Sequence, residues 1–119
     1  MTEITGITLE AKQNFTLILE DGSQAPLYME YIDQNYGWNM SVSYPGWSGI
    51  TYQRMTVNAN MLRRWSNIIP FGLAIITNDG YEPILISDFY SGRASLFLLN
   101  ADDVQTYETY LQSLSGIPR

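Results

Sequence analysis

Cysteine and histidine are both missing from this 119-residue chain, and lysine occurs once, at Lys12. Each absence removes a class of chemistry. Without thiolate or imidazole there is no zinc site of the usual ligand types, no cysteine nucleophile and no triad built on an imidazole base. No disulfide framework exists, which fits a reducing cytoplasm and also leaves work outside a cell open. The remaining cations are Arg54, Arg63, Arg64, Arg93 and Arg119, set against 12 acidic residues for a net charge of -6. Nucleic-acid binding rests on many Lys and Arg side chains neutralising phosphates, so this balance argues against it. No apolar run approaches the roughly 20 residues of a bilayer span. The opening MTEITGITLE has neither a basic n-region nor an apolar h-region, so the expectation is a chain that is neither secreted nor membrane-inserted.

What the chain does contain is aromatic and alternating. Nine tyrosines and three tryptophans accompany the few cations, a composition that stable protein interfaces favour. In NFTLILE, Phe15, Leu17 and Leu19 share one face, and Asp21-Gly22 supplies turn chemistry. LYMEYI sets Leu27, Met29 and Tyr31 against Tyr28, Glu30 and Ile32. WNMSVSY points Trp38, Met40, Val42 and Tyr44 one way and Asn39, Ser41 and Ser43 the other, as a half-buried antiparallel strand does. Trp38 is therefore expected in the core, whereas Pro45-Gly46 ends the strand and leaves Trp47 on a loop.

The parity of ITYQRMTV changes between Tyr52 and Met55, which predicts a bulge near Arg54. NANMLRRWSN reads as a short helix capped by Asn58 or Asn60, with Arg63 and Arg64 toward its end. LAIIT, PILIS and SLFLL read as further strands. The tail is an amphipathic helix over about 101–115, capped by Asn100, with Asp102 and Asp103 in its first turn. Its stripe is Val104, Tyr107, Leu111 and Leu114, and Gly116 stops it. Residues 1–119 thus form a single, mainly β domain: a small antiparallel barrel or sandwich of seven or eight strands, one short helix and a C-terminal helix.

Carboxylates are the remaining acid–base candidates. Glu20-Asp21 sits at a turn and Asp102-Asp103 in a helix first turn, both ordinary structural positions. Asp88 follows an apolar run with Arg93 five residues on; a loop-pinning ion pair explains that spacing as well as catalysis does. No pair argues for the separation of about 5 Å that a retaining glycosidase needs. No metal- or phosphate-binding motif occurs, so no cofactor is expected.

The order of features from Leu27 to Leu99 resembles the small baseplate plug proteins of contractile-tailed bacteriophages, including cyanophages. A strand ending near Tyr31 leads through a polar turn at Asn35 to the Trp-led strand WNMSV at Trp38. A glycine turn and a second hairpin arm then lead to Asn60-Met61-Leu62. Glu82-Pro83 and Asp88 with Arg93-Ala94-Ser95-Leu96-Phe97 close the pattern; the helical tail lies outside it. The resemblance implies a structural virion protein, not an enzyme, made in the host cytoplasm and carried in the tail baseplate. It would pack in or beside the central hub, in several copies around the tail axis, and narrow the distal tail-tube lumen before DNA ejection. Its implied partners are hub and tail-tube proteins, with the tape-measure protein or central spike as further neighbours. The family supplies no catalytic residue.

Interface candidates are Tyr36 and Trp47 on hairpin loops, Arg63 and Arg64 on the short helix, and Tyr107 and Tyr110 on the terminal one. For Trp47 the competing placement is folded back over the mouth of the barrel. Two other functions stay open. A carbohydrate-binding β-sandwich for host-surface recognition would explain exposed aromatics beside Asn, Gln and Asp, and a carboxylate hydrolase would use Asp88.

Overall fold

A computed structural model describes residues 1–35 and 37–115. Its elements are β1 (Thr2–Glu3), β2 (Lys12–Ile18), β3 (Gln24–Ile32), β4 (Gly37–Tyr44), β5 (Trp47–Arg54), β6 (Gly72–Thr77), β7 (Ala94–Leu99) and α1 (Ala101–Ser115). Four strands form an antiparallel sheet in the order β2-β3-β4-β5, and three form a second in the order β1-β7-β6. The sheets are not closed into a barrel; they face each other as a sandwich.

Period-two patterning decides what lies between them. Leu17, Leu27, Met29, Trp38, Met40 and Val42 from the larger sheet meet Leu73, Ile75, Ala94 and Leu96 from the smaller. Each large side chain buried there contributes about 1.5–3 kcal/mol relative to exposure. Trp38 is fully buried, as its strand pattern predicts, and meets Tyr31 and Phe89 edge-on at 5.5 and 5.9 Å. On the other face of the smaller sheet, Ala74, Phe97 and Leu99 are covered by Val104 of α1. The helix therefore packs on this face by its first turn, while Tyr110 and Leu114 further along it are exposed.

The Asp21-Gly22 turn closes with Gly22 N–H to the Leu19 carbonyl, and Leu19 N–H reaches the Ser23 carbonyl, both at 2.9 Å. Asn100 caps α1 reciprocally. Its Oδ1 accepts from Asp103 N–H at 2.7 Å, while Asp103 Oδ2 accepts from Asn100 N–H at 3.1 Å. This is the expected N-terminus, although the stop at Gly116 lies outside the described residues.

Three sequence expectations are corrected and a fourth is extended. Trp47 is not on a loop: Pro45-Gly46 is a two-residue hairpin turn, and Trp47 opens β5 opposite Tyr44. The bulge expected near Arg54 is present, two residues before it, and a second irregularity lies closer to the turn. Met40 faces Gln53, Val42 faces Ile50 and Tyr44 faces Trp47, so each two-residue step along β4 is matched by three residues on β5. The extra residues adopt positive φ at Gly49 (82°) and Tyr52 (53°). Gly49 is also sterically required, because a Cβ there would lie 2.7 Å from the Val42 carbonyl oxygen.

NANMLRRWSN makes only a 3-10 turn over Arg63–Trp65. Asn60 does act at its start, but by an Asx turn. Its Oδ1 accepts from the N–H groups of Leu62 and Leu73, tying the turn to β6 rather than launching an α-helix. PILIS is not a strand. Residues 81–84 are irregular and 85–92 run through bends and turns, because their polar contacts come from side chains instead of a ladder.

Candidate docking surface

Arg93 organises a segment that carries four of the exposed large apolar or aromatic side chains among the described residues. Nε and Nη2 of Arg93 grip both oxygens of Asp79 at 3.2 and 3.1 Å, Nη1 meets Asp88 Oδ2 at 3.1 Å, and the same guanidinium donates to the carbonyls of Tyr81 and Glu82. Asp88 is buried, and its Oδ2 also accepts from Leu85 N–H at 2.9 Å. One cation thus clasps the turn at 78–82 to the turn at 85–92. A buried carboxylate is costly unless paired and hydrogen-bonded, and Asp88 is both. Asp79 is held below the usual carboxylate range first by the N–H of Tyr81 and then by Arg93.

The rest of the fold anchors the same segment. Glu82 Oε2 accepts from Val57 N–H at 2.8 Å, and the Tyr31 hydroxyl donates to the Ile84 carbonyl at 2.6 Å. Pro83 and Phe89 point inward, Phe89 against Trp38. Held to the scaffold by these bonds, the segment turns four large side chains to solvent: Tyr81 is 73% exposed, Tyr90 62%, Leu85 54% and Ile84 46%. Four such groups lie within ten residues on a backbone held by these bonds, which lowers the entropy lost when a partner binds.

The sequence-derived candidates fall elsewhere. Trp47 is half-buried and meets Trp65 at 5.6 Å with the rings 60° apart, which is close to the folded-back placement. Arg64 is exposed, with its guanidinium 5.8 Å from the centre of the Trp65 ring. Arg63 pairs with Glu108 of α1 at 3.0 Å. Tyr107 is half-buried and Tyr110 is exposed on that helix. Trp65 thus brings Trp47 and Arg64 together, and the Arg63–Glu108 pair ties α1 to the same flank. Tyr36 lies outside the described residues.

The sequence singles out Asp88 and Arg93 but leaves a loop-pinning ion pair and catalysis equally open; the structure pairs the two, and the exposed Tyr81, Ile84, Leu85 and Tyr90 were missed. The available signal was local: three carboxylates, Asp79, Glu82 and Asp88, precede a single cation within fifteen residues.

Among the described residues no helix is long and apolar enough to cross a membrane. Comparison with protein-family models finds no match, and comparison with curated proteins finds no significant one.

Proposed function

We propose that this chain is a structural piece of a larger particle, seated by its 81–90 surface against another subunit. In its most specific form it is a baseplate plug of a contractile phage tail, packed in or against the hub and narrowing the tube lumen before ejection. The observation that carries the reading is the clasped loop. Tyr81, Ile84, Leu85 and Tyr90 stand in solvent on a segment that Arg93, Glu82 and Tyr31 tie to the rest of the fold, and aromatic anchors on rigid scaffolds are where binding energy concentrates. The plug resemblance supports it from a second side, because Glu82-Pro83 and Asp88 with Arg93 belong to the shared pattern and also build the clasp. A net charge of -6 suits a neighbour of passing DNA, since it repels phosphates at short range.

The carbohydrate reading is weaker, because sugar stacking favours a flat platform. Trp47 and Trp65 meet at 60°, and Tyr28 and Tyr52 at 87°.

The test is incorporation into particles. Tyr81→Ser combined with Leu85→Ser should leave the circular dichroism and Tm of the free chain unchanged, since both side chains are exposed. The same pair should lower co-assembly with hub and tube proteins by about tenfold to several hundredfold, the loss of two moderate hot spots. Absence of the wild-type chain from mature tails would overturn the proposal.

A further inference from the structure

A sheet edge left unpaired is a template for another strand, and folded proteins usually obstruct it. Three of the four edges here are obstructed. β1 is only two residues long. The outer edge of β6 is covered by the chain before it: Asn58 exchanges hydrogen bonds with Ile75 at 3.3 and 3.0 Å, and Met61 N–H reaches the Leu73 carbonyl at 2.7 Å. β5 carries its two extra residues at Gly49 and Tyr52, which bend and twist that edge.

β2 has no such device. It pairs one-to-one with β3 from Lys12↔Glu30 to Ile18↔Gln24, with no glycine, proline or bulge of its own. Two bonds fix which way its amides point. Tyr31 N–H donates to the Ala11 carbonyl at 2.7 Å and Leu19 N–H to the Ser23 carbonyl at 2.9 Å, bracketing the ladder. Hydrogen-bonded residues alternate along an antiparallel strand, so the odd-numbered residues of β2 face β3. Lys12, Asn14, Thr16 and Ile18 turn their N–H and C=O groups off the edge, where no main-chain partner meets them among the described residues.

We propose that this edge pairs with the same edge of a second copy of the chain, antiparallel about a two-fold axis midway between the two Phe15 residues. That register sets Lys12 against Ile18 and Asn14 against Thr16, and it uses the N–H and C=O of all four residues on both copies. It also places the two half-buried Phe15 rings side by side. Lys12 comes diagonally opposite Glu20 of the second copy, within reach of a long side chain. A lysine on an edge ordinarily deters pairing. Here the edge is self-complementary in charge, and that favours a second copy over an unrelated strand. The two copies would share one continuous sheet. Each carries -6 overall, so added salt should tighten the dimer by screening their repulsion. This inference does not depend on the docking role of the 81–90 surface, which lies in another part of the fold.

The experiment is sedimentation of the full chain across concentration, combined with amide hydrogen exchange. The expected result is a monomer–dimer equilibrium in which the amides of Lys12, Asn14, Thr16 and Ile18 gain protection as dimer forms. Thr16→Pro removes an N–H that makes no bond within the monomer, so it should keep the native circular dichroism while weakening the dimer about tenfold or more. If that variant does not fold, Asn14→Pro makes the same test. Lys12→Glu should weaken association, and adding Glu20→Lys should restore it. A chain that stays monomeric up to about 1 mM, a dimer indifferent to both proline variants, or a dimer in which the amides of Lys12, Asn14, Thr16 and Ile18 exchange freely would each overturn the proposal.

Discussion

Tyr52 is the described non-glycine residue held at positive φ, at 53°, with its N–H bonded to Ser41 Oγ at 3.0 Å. A bulky side chain in that region costs on the order of 1 kcal/mol or more. Glycine adopts the conformation without that cost, and the Tyr52 ring is largely in solvent, so little packing is lost on removing it. Tyr52→Gly should therefore raise stability by about 0.5–1 kcal/mol, after the extra chain entropy of glycine is offset; urea denaturation gives the value. An unchanged or lower midpoint would mean that the edge-on contact with Tyr28, at 6.5 Å, outweighs the strain. Trp38 shows the opposite case, in which local pattern alone suffices. Strict alternation in WNMSVSY assigns it to the core, and it is fully buried. The same alternation gives no clue to Trp47, whose environment is set by Trp65, eighteen residues away.

At the scale of elements, the sequence is most legible where structure is closed locally. The start of α1 needs only Asn100 and Asp103, three residues apart, and both do what their types suggest. Replacing Asn100 with Ala removes an Oδ1 acceptor at that cap and an Nδ2 donor to Glu20. The expected cost is about 1 kcal/mol, seen as a lower Tm, with fraying confined to the first turn in amide exchange. Strands β2, β3 and β4 are readable for the same reason, since alternation is local. β5 is legible only in part. A change of parity reports that the strand slips, but the location of the extra residues depends on register with β4. PILIS misleads because an apolar run between turn signals looks alike whether it joins a ladder or is held by a guanidinium. Arg93 and Asp79 are fourteen residues apart, and no periodicity links them. The exposed loop surface was hidden for that reason.

For the molecule as a whole, several carboxylates share one electrostatic role. Asp21 is lowered by the Ser23 hydroxyl and N–H, Asp79 by Tyr81 N–H and then Arg93. Asp103 is lowered by the N-terminal ammonium, 3.0 Å away, and then by Asn100 N–H. A folded-state pKa below the unfolded one adds stability that is fully present above the unfolded value, about 3.9 for Asp. It is lost as pH falls through the lower folded value. Thermal unfolding should accordingly be nearly flat between about pH 5 and 8 and drop below about pH 4. A Tm that held steady below that point would contradict the pairing. On the alkaline side, the hydrogen bond that Tyr28 donates to Glu30 pushes its phenol up to about 12. Its contribution persists through the neutral range and disappears only as pH rises through that value.

The Arg93 clasp joins segments that a small protein could otherwise cross-link covalently. Its grip is made of charge and geometry alone, so reductants and oxidants leave it untouched, and a change of redox surroundings would not slacken the loop. Acid would, by protonating Asp79. A loop closed in this way keeps its shape whatever the redox state of its surroundings and yields to acid instead.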